Sequence, residues 1–379
     1  MQIGSAWLPV YAQMPLTAVS GHGSWLVDEQ GQEWLDAYGG HAVAATGHCH
    51  PHVVEAVQRQ VAQLIFYSTA VPLRLRELLA DGIAGRCPGA LSRVFFCNSG
   101  AEANENALGL ARKVTGRREV VSVEGGWHGR TAACLAVTDG EKYAAGARRA
   151  GMPLSRKVPF NDAGALASAV DESVAAVIVE PVQGVSGARD CSVEFLQAAR
   201  AACDRAGAAL IFDEIQCGVG RSGAFTAAEV YGVTPDIVSL AKGLASGLPI
   251  GAMVATPALT DTLKPGDLGS TFGGGPVACA AGLATLEVID REGLYDNVRR
   301  VSARICQWAE ARGIPVQGRG LLLGLRMPRP AAEVQRDLFA HRVLTGTAAD
   351  PALLRLLPPL SFSLNETGLL LAALETVLS

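Results

Sequence analysis

The chain has 379 residues, enough to bury a large core and to form more than one domain. Its 32 basic and 36 acidic residues give a net charge of −4, and no apolar run reaches membrane-spanning length, so neither nucleic acid nor a membrane is expected as a partner. Nine cysteines, an odd number without CxxC spacing, and a first basic residue as late as Arg59 favour reduced thiols, a cytoplasmic location and no targeting peptide.

The first 44 residues are predicted to form short strands and turns, because Ser24–Asp28 and Glu33–Asp36 are short apolar runs around a glycine-containing turn. The segment Gly47-His48-Cys49-His50-Pro51-His52 then leads into a helix predicted from Val53 to Leu64. Three alternating histidines invite a metal site. However, Pro51 marks a helix start and no acidic or cysteine partner is grouped with them in metal-ligand spacing. We therefore predict a helix-entry turn and no metal.

Residues 90 to 255 alternate between apolar strands and helices, which favours an α/β fold with a mostly parallel sheet covered by helices. Beyond residue 280 come a long helical stretch, short strands around Leu321–Leu325 and a closing helix from Glu366. The predicted strands are Val94–Cys97, Val120–Val123, Ala175–Val179, Ala209–Phe212, Ile237–Leu240 and Ala252–Val254, and the helices include Ala101–Val114, Ala163–Val170, Val193–Ala206, Ala278–Ile289 and Leu294–Arg312.

A helix start follows the first of these strands, in the segment Asn98-Ser99-Gly100-Ala101-Glu102. Ser99 and Glu102 have capping-box spacing, and Gly100 permits a close backbone approach. The N-terminus of a helix presents free N–H groups and the positive end of its dipole to an anion. For this motif alone, a plain helix cap without a ligand stays open as an interpretation.

Two further loops after strands have side chains suited to a flat, anionic ligand. Trp127, in a glycine-rich loop after Val120–Val123, is able to stack on a ring, and Arg130 is able to bind a carboxylate with its guanidinium fork. The loop Gly269–Gly275 contains the hydroxyls of Ser270 and Thr271, which suit a phosphate contact.

Asp213 leaves the buried run Ala209–Phe212, at the end of a strand where open α/β sheets bind ligands. The nearby segment Gly218–Gly223 matches GxGxxG, which is a weak signal alone. Four residues separate it from the strand, and no convincing helix is predicted from Phe225-Thr226 onward. We therefore reject a dinucleotide fingerprint and interpret these glycines as a loop beside the ligand.

Lys242 ends the apolar run Ile237–Ala241 and begins a glycine-rich segment. An ammonium group at the mouth of an apolar element is costly unless it is used, and its pKa falls readily on desolvation, as a Schiff-base amine requires. Taken alone, a strand-end lysine that reaches solvent is the simpler interpretation. The accompanying carboxylate, helix start and aromatic favour a pyridoxal phosphate (PLP) site instead.

These residues lie in motifs that resemble the class III, ornithine-type aminotransferases of PLP fold type I, nearly from end to end. Within that class the chain is most similar to the N-acylornithine aminotransferases of arginine biosynthesis. The motifs are Gly47-His48-x-His50-Pro51, Asn98-Ser99-Gly100-Ala101-Glu102-Ala103-Asn104-Glu105, His128-Gly129-Arg130-Thr131, Glu180-Pro181-Val182-Gln183-Gly184, Asp213-Glu214-Ile215-Gln216, Lys242-Gly243, Ser270-Thr271-Phe272-Gly273-Gly274 and Leu354-Arg355-Leu356-Leu357-Pro358-Pro359.

The resemblance implies a role for each matching residue. Lys242 would hold the cofactor and carry protons once released, and Asp213 would hold the pyridine nitrogen protonated. Gln216 would bond the ring hydroxyl, and Trp127 would stack on the ring where relatives usually carry Phe. Thr271 would reach the phosphate of the partner subunit, which implies a homodimer with shared active sites. The full cofactor set is Ser99, Gly100, Ala101, Trp127, Asp213, Gln216, Lys242 and Thr271, with Lys242 and Asp213 as the catalytic residues.

On the substrate side, Arg130 would bind a carboxylate, Ser270 would lie close to the substrate, and Arg355 would hold the α-carboxylate of glutamate or 2-oxoglutarate. The expected fold is a mostly parallel sheet in a large domain with a smaller α+β domain. The corresponding boundaries are an N-terminal segment 1–44 that packs with the small domain, a large PLP-binding domain 45–286, and a small domain 287–379.

Two positions depart from the family pattern: Gly275 replaces the usual Asn before the loop proline, and Val185 replaces a Glu. That Glu normally pairs with the position of Arg355 when the amino donor binds. A buried guanidinium without a partner is costly, so an acidic side chain, water or the substrate itself is expected to satisfy Arg355.

The predicted activity moves the terminal amine of an N-acylornithine to 2-oxoglutarate. N-acetylornithine is favoured, whereas N-succinylornithine is the alternative that offers a second carboxylate to Arg355. Other ω-amino acids, namely ornithine, 4-aminobutyrate and an acylated lysine, also stay open as donors. The presence of Arg355 argues against an aminomutase, which needs no dicarboxylate acceptor. A non-catalytic scaffold is disfavoured because a protein without catalysis would not need the site residues to be intact. Those residues are Lys242, Asp213, Gln216 and Thr271, and all are present.

Overall fold

The structure is a computed structural model that describes Ala6, Leu8 and residues 10–379. Its strands, in chain order, are β1 Ala18–His22, β2 Trp25–Asp28, β3 Glu33–Asp36, β4 Arg93–Cys97, β5 Glu119–Val123, β6 Arg156–Val158, β7 Val174–Val179, β8 Val182–Gln183, β9 Arg189–Asp190, β10 Ala209–Asp213, β11 Ile237–Leu240, β12 Gly251–Ala255, β13 Val316–Arg319, β14 Leu322–Arg326, β15 Val343–Leu344, β16 Gly346–Thr347 and β17 Leu353–Leu356.

A seven-stranded sheet in the order β4-β12-β11-β10-β7-β5-β6 forms the centre of the fold. Its neighbours pair in parallel except for β12, which runs antiparallel to both β11 and β4. Every residue of β7, β10, β11 and β12 is buried, because helices cover both faces and the strands are continuous apolar runs. The predicted α/β class and mostly parallel sheet are confirmed.

The helices lie between and after these strands, and most match the predicted elements. The strand Ile237–Leu240 and the helix Val193–Ala206 have the predicted bounds. The long stretch after residue 276 is two helices, separated at Gly293, which has a left-handed φ of 60°. The helices are Pro51–Gln63, Arg74–Ala84, Gly100–Thr115, Ala132–Val137, Glu141–Arg149, Ala163–Ala169, Val193–Ala206, Ala227–Tyr231, Pro257–Thr260, Pro276–Arg291, Leu294–Glu310, Ala331–Ala340 and Leu364–Leu378, and Lys242–Ala245 is a single 3-10 turn.

Two smaller sheets join distant parts of the chain. β15 pairs in parallel with β3, which extends the N-terminal meander β1-β2-β3 with a strand from the C-terminal region. The other sheet has the order β13-β14-β17-β16 and places Arg355 on its central strand β17. The domain boundaries at 44 and 286 stay a prediction, and residues 1–5, 7 and 9 of the predicted N-terminal segment lie outside the described residues.

The predicted helix-entry turn is confirmed, since His50 caps the helix Pro51–Gln63 with Pro51 at its first position. Each of the three histidines has its own carboxylate partner. Within the described ranges, no group of three or more His, Cys, Asp or Glu is arranged to hold a metal ion. The Nε2–carboxylate pairs are His48–Asp36 at 2.8 Å, His50–Glu292 at 2.9 Å and His52–Glu287 at 2.6 Å.

The prediction of no helix after Phe225 is wrong, because Thr226 caps the short helix Ala227–Tyr231 and forms a reciprocal capping box with Glu229. One and a half turns are too short to give a helical period in the sequence. The glycine loop 218–223 does not line the cavity that contains Lys242, although its Val219 lies next to Gly243. Its Arg221 is buried and donates to the carbonyls of Leu321 and Pro358, so the loop joins the central sheet to the C-terminal part of the chain.

No helix in the part of the chain that the structure describes is both long enough and apolar enough to cross a membrane.

Candidate active site

A cavity of about 470 Å³ opens at the carboxyl ends of β4, β5, β7, β10 and β11. This is where open α/β sheets bind ligands, and the volume is within the usual range for such sites. Three of the predicted residues do not line it: Ser270, Thr271 and Arg355. The other predicted residues do, namely Ser99, Gly100, Ala101, Trp127, Arg130, Asp213, Gln216 and Lys242.

Lys242 is the second residue after the end of β11 and lines the cavity. Burial lowers the pKa of this amine and the charge of Arg355 acts in the same direction, while Asp213 and Glu180 act to raise it. Its φ of 44° is left-handed, a strained conformation for a residue with a side chain. The position at the strand end thus gives an amine that loses its proton readily, as a nucleophilic lysine requires.

Asp213 is the last residue of β10 and is held by three hydrogen bonds. Its Oδ2 accepts from Asn104 Nδ2 at 2.7 Å and His128 Nδ1 at 2.8 Å, and its Oδ1 accepts from the backbone N–H of Ile215 at 3.1 Å. Asn104 also donates to the backbone carbonyl of His128 at 2.9 Å. All three polar side chains are buried. They fix the orientation of the carboxylate toward the cavity.

Asn104 and His128 belong to motifs noted in the sequence, but their contact with Asp213 was not predicted. They are 109 and 85 residues away from it along the chain. A single sequence shows no spacing that would bring them together.

The helix Gly100–Thr115 begins at the cavity wall. Ser99 caps it by accepting from the N–H of Glu102 at 3.2 Å, as predicted. The Glu102 carboxylate accepts from Asn98 N at 2.9 Å, one residue earlier than a capping box requires. The first N–H groups of a helix have no acceptor within that helix, so those of Gly100 and Ala101 are available to an anion.

Glu180 connects two loops of the site and was not predicted as a site residue. Its Oε1 accepts from Trp127 N at 2.7 Å and its Oε2 from Gly184 N at 3.3 Å. Burial, together with the nearby charge of Asp213, raises the pKa of Glu180 to about 8. Beyond this carboxyl, the Arg130 guanidinium lies over the Trp127 ring, 5.3 Å from its centroid.

Gln216 lines the cavity with a buried Oε1 that has no hydrogen-bond partner within the described residues. Its side chain packs closely on Gly184, where an added Cβ would lie 1.5 Å from that oxygen. A buried polar atom without a partner usually marks a missing ligand or water.

Arg355 lies behind the cavity wall and contacts it through the Gly184 carbonyl, next to the wall residue Val185. Its Nε donates to Thr347 O at 2.7 Å, its Nη1 to Gly184 O at 2.9 Å and its Nη2 to Tyr38 Oη at 2.8 Å. Within the described residues, no acidic side chain forms an ion pair with it. Two carbonyls and a hydroxyl bind this guanidinium instead of the acidic side chain that was one of its expected partners. Water or the substrate as a further partner stays a prediction.

Ser270 and Thr271 lie outside the cavity wall. Ser270 Oγ accepts from Asn98 Nδ2 at 3.3 Å and from Gly273 N at 3.1 Å, which holds the loop beside the helix start. Thr271 is exposed, and the next residue, Phe272, places its ring 4.9 Å from that of Phe66.

The cavity suits pyridoxal phosphate. The helix start at Gly100 would hold the phosphate. The buried Oε1 of Gln216 would accept a hydrogen bond from the ring hydroxyl, and Asp213 would face the ring nitrogen. Lys242 would hold the aldehyde carbon. These groups have the chemistry that the cofactor requires.

The chain belongs to the class III aminotransferases, since the family model "Aminotransferase class-III" matches residues 9–378. It is similar to the acetylornithine aminotransferases of Streptomyces coelicolor, 44% identical over 97% of this chain and 92% of that protein, and of Methanopyrus kandleri, 40% identical over 97% and 95%. The chain is a PLP-dependent aminotransferase.

Solved structures support the same fold. The ornithine aminotransferase of Toxoplasma gondii superposes with a TM-score of 0.91 at 30% identity, covering 98% of this chain and 92% of that one. A second structure of that enzyme has PLP at partial occupancy in its active site. An Arthrobacter phospholyase bound to phosphoethanolamine also matches, with a TM-score of 0.87, 29% identity and coverage of 98% and 96%. The fold therefore does not determine the reaction, which depends on the site residues.

Proposed function

We propose that this aminotransferase moves the terminal amine of an N-acylornithine, with N-acetylornithine as donor, to 2-oxoglutarate. The observation that carries the proposal is the convergence of Lys242, Asp213 and Gln216 on one cavity. The chain's similarity to proteins named acetylornithine aminotransferase supports the choice of donor.

When bound, pyridoxal phosphate supplies an aldehyde carbon and a ring that accepts an electron pair. The lowered pKa of Lys242 lets its amine bind the cofactor covalently and be released from it. The released amine would then carry a proton at the terminal carbon of the substrate. Asn104 and His128 hold the Asp213 carboxylate in place, so this charge needs no reorientation during the reaction. Trp127 forms the wall that would face the ring.

The two substrates would use different arginines. Arg130 is exposed at the cavity and would bind the α-carboxylate of the donor, which leaves the terminal amine directed at Lys242. Arg355 would bind a carboxylate of 2-oxoglutarate or glutamate, and Ser270 would lie close to the substrate. Bidentate binding by a guanidinium fixes the orientation of each substrate.

The proposed place of this reaction is arginine biosynthesis in the cytoplasm. All nine cysteines are free, which agrees with a reducing compartment.

We also propose a homodimer with shared active sites. Large apolar side chains in and near the loop Gly269–Gly275 are exposed, including Ile65 at 69%, Tyr67 at 49% and Phe272 at 63%. Exposed apolar groups of this density mark interaction surfaces. Thr271 lies beside them, where it would reach the phosphate of the partner subunit.

N-succinylornithine is the second candidate donor, favoured by one observation. The partners of Arg355 in the described residues are neutral, so its charge is available to a carboxylate on the acyl group. Ornithine, 4-aminobutyrate and acylated lysine complete the set of donors to compare.

The test measures kcat/KM of the purified holoenzyme for each donor with 2-oxoglutarate as acceptor. We expect N-acetylornithine to give the highest value, and Arg355→Ala to raise KM for 2-oxoglutarate at least tenfold with little effect on the donor half-reaction. A clear preference for N-succinylornithine that disappears in Arg355→Ala would establish the second candidate. Absence of amine transfer from every donor would reject the proposal.

A further inference from the structure

Tyr38 packs against the guanidinium of Arg355. Gly346 lies directly opposite Arg355 in the antiparallel pair β16–β17, and the Tyr38 ring packs on it so closely that an added Cβ would lie 2.1 Å from a ring carbon. The Tyr38 hydroxyl then reaches Arg355 Nη2 at 2.8 Å, and the guanidinium lies 5.5 Å from the ring centroid. The glycine therefore makes room for this pair.

The backbone around Tyr38 is also fixed. Asp36 Oδ1 accepts from the N–H groups of Tyr38 at 2.9 Å and Gly39 at 2.8 Å. The next four residues, Gly39 to Ala42, have φ between 55° and 67°, a left-handed turn that includes the non-glycine residues His41 and Ala42. Such strain persists only where the surrounding structure holds it, and it is concentrated at functional sites.

A count of donors shows what the pair is able to bind. A guanidinium has five N–H groups, of which Thr347, Gly184 and Tyr38 accept one each, from Nε, Nη1 and Nη2. Each terminal nitrogen therefore keeps one N–H. The Tyr38 hydroxyl accepts from Arg355, and its own hydrogen has no acceptor within the described residues. Because burial raises the pKa of Tyr38, this hydroxyl stays protonated and is a donor.

We infer that Tyr38 is a specificity-determining residue, whose hydroxyl and the two free N–H groups of Arg355 form one binding site for a substrate carboxylate. The inference rests on the proposed function for the identity of the dicarboxylate, which is 2-oxoglutarate or glutamate. A neutral hydroxyl does not compete with a carboxylate for the guanidinium. The site therefore accepts an anion in every state of the enzyme.

This carboxylate site is already present before the amino donor binds. An unreactive dicarboxylate binds to it and excludes the donor, whereas a monocarboxylate lacking the second charge binds far more weakly.

The experiment measures binding of glutarate and of butyrate to the holoenzyme, by titration of the visible absorbance of the cofactor and by calorimetry. We expect glutarate to bind the wild type at least tenfold more tightly than butyrate. In Tyr38→Phe, the loss of a hydrogen bond to a charged group should weaken glutarate binding and raise KM for 2-oxoglutarate by about tenfold, with kcat within twofold. Tyr295→Phe, in the helix Leu294–Glu310, is the matched control and should leave both unchanged.

A second variant keeps the hydroxyl but moves it. Gly346→Ala should displace the Tyr38 ring and weaken glutarate binding to a similar degree, whereas Gly368→Ala, at an exposed helix position with open space, should not. Glutarate affinity within twofold of the wild type in Tyr38→Phe would overturn the inference. Because glutarate binding requires no turnover, failure of every donor would reject the proposed function while leaving this result readable.

Discussion

The orientation of the Asp213 carboxylate depends on side chains from two other segments of the chain. Asn104 comes from the helix that begins at the phosphate end of the cavity, and His128 comes from the loop that carries Trp127. Both donate to Oδ2, which leaves the carboxylate with a fixed position and a negative charge directed at the cavity. A ring nitrogen bound there would stay protonated through a charge-assisted hydrogen bond.

Asp213→Asn is expected to keep PLP bound but to lower kcat at least 100-fold, because the neutral amide no longer stabilises the protonated ring nitrogen. The measurement combines the cofactor content from visible absorbance with the rate of a single donor half-reaction. Asp236→Asn is the matched control. Asp236 immediately precedes the neighbouring strand β11, does not line the cavity, and forms an ion pair with Arg200 at 2.8 Å. Turnover near that of the wild type in Asp213→Asn would contradict the role assigned to Asp213.

The sequence predicted those site residues that directly follow an apolar run or begin a helix. Lys242, Asp213 and Ser99 have such positions, and a strand end in an open α/β sheet restricts where they lie. Tyr38 and Glu180 were not predicted, because their roles depend on contacts with distant segments. The neutral partners of Arg355 were missed for the same reason, since backbone carbonyls leave no sequence signal.

At the scale of the element, Glu214 joins the end of β10 to the short helix Ala227–Tyr231. It is fully buried, and its carboxyl oxygens accept from the N–H groups of Ala227 and Ala228, which would otherwise have no acceptor. This contact explains how a five-residue helix forms where the local sequence shows no period. The buried strands were predictable from composition, whereas this helix depends on a residue 13 positions earlier.

Burial raises the pKa of Glu214 to about 8, against the opposing effect of its two N–H donors. Between pH 4.5 and 8 the folded chain therefore holds a proton that the unfolded chain releases, and the contribution of Glu214 to stability falls as the pH rises. We expect Glu214→Gln, which does not titrate, to remove this contribution. The slope that disappears is at most about 1.4 kcal/mol per pH unit.

The measurement is urea unfolding of the cofactor-free protein across this pH range. The free energy of unfolding of the wild type should decrease relative to that of Glu214→Gln as the pH rises. Since the contribution of Glu180 is common to both proteins, it cancels in the difference. Glu194→Gln, an exposed change in the helix Val193–Ala206, should follow the wild type at every pH. Parallel curves for wild type and Glu214→Gln would show that Glu214 does not titrate in this range.

At the scale of the whole molecule, the cavity in one chain contains Lys242 but not Thr271. Thr271 is exposed next to Phe272 and the apolar side chains Ile65 and Tyr67. If a second copy covers this surface, the hydroxyl of Thr271 contributes to the phosphate site of that copy. Each active site would then contain Lys242 of one subunit and Thr271 of the other.

Mixed dimers test this arrangement. Thr271→Ala alone should weaken PLP binding about tenfold in both sites, because one hydrogen bond to a charged phosphate is lost, and Lys242→Ala alone should be inactive. A dimer of one Thr271→Ala chain and one Lys242→Ala chain has one site with both changes and one site with neither. Co-expression with two different affinity tags isolates this dimer. We expect the intact site to bind PLP with wild-type affinity. The mixed dimer should therefore have about half of the activity of a wild-type dimer. If Thr271 served its own chain, every site in the mixed dimer would lack one residue, and wild-type PLP affinity would not return in either site.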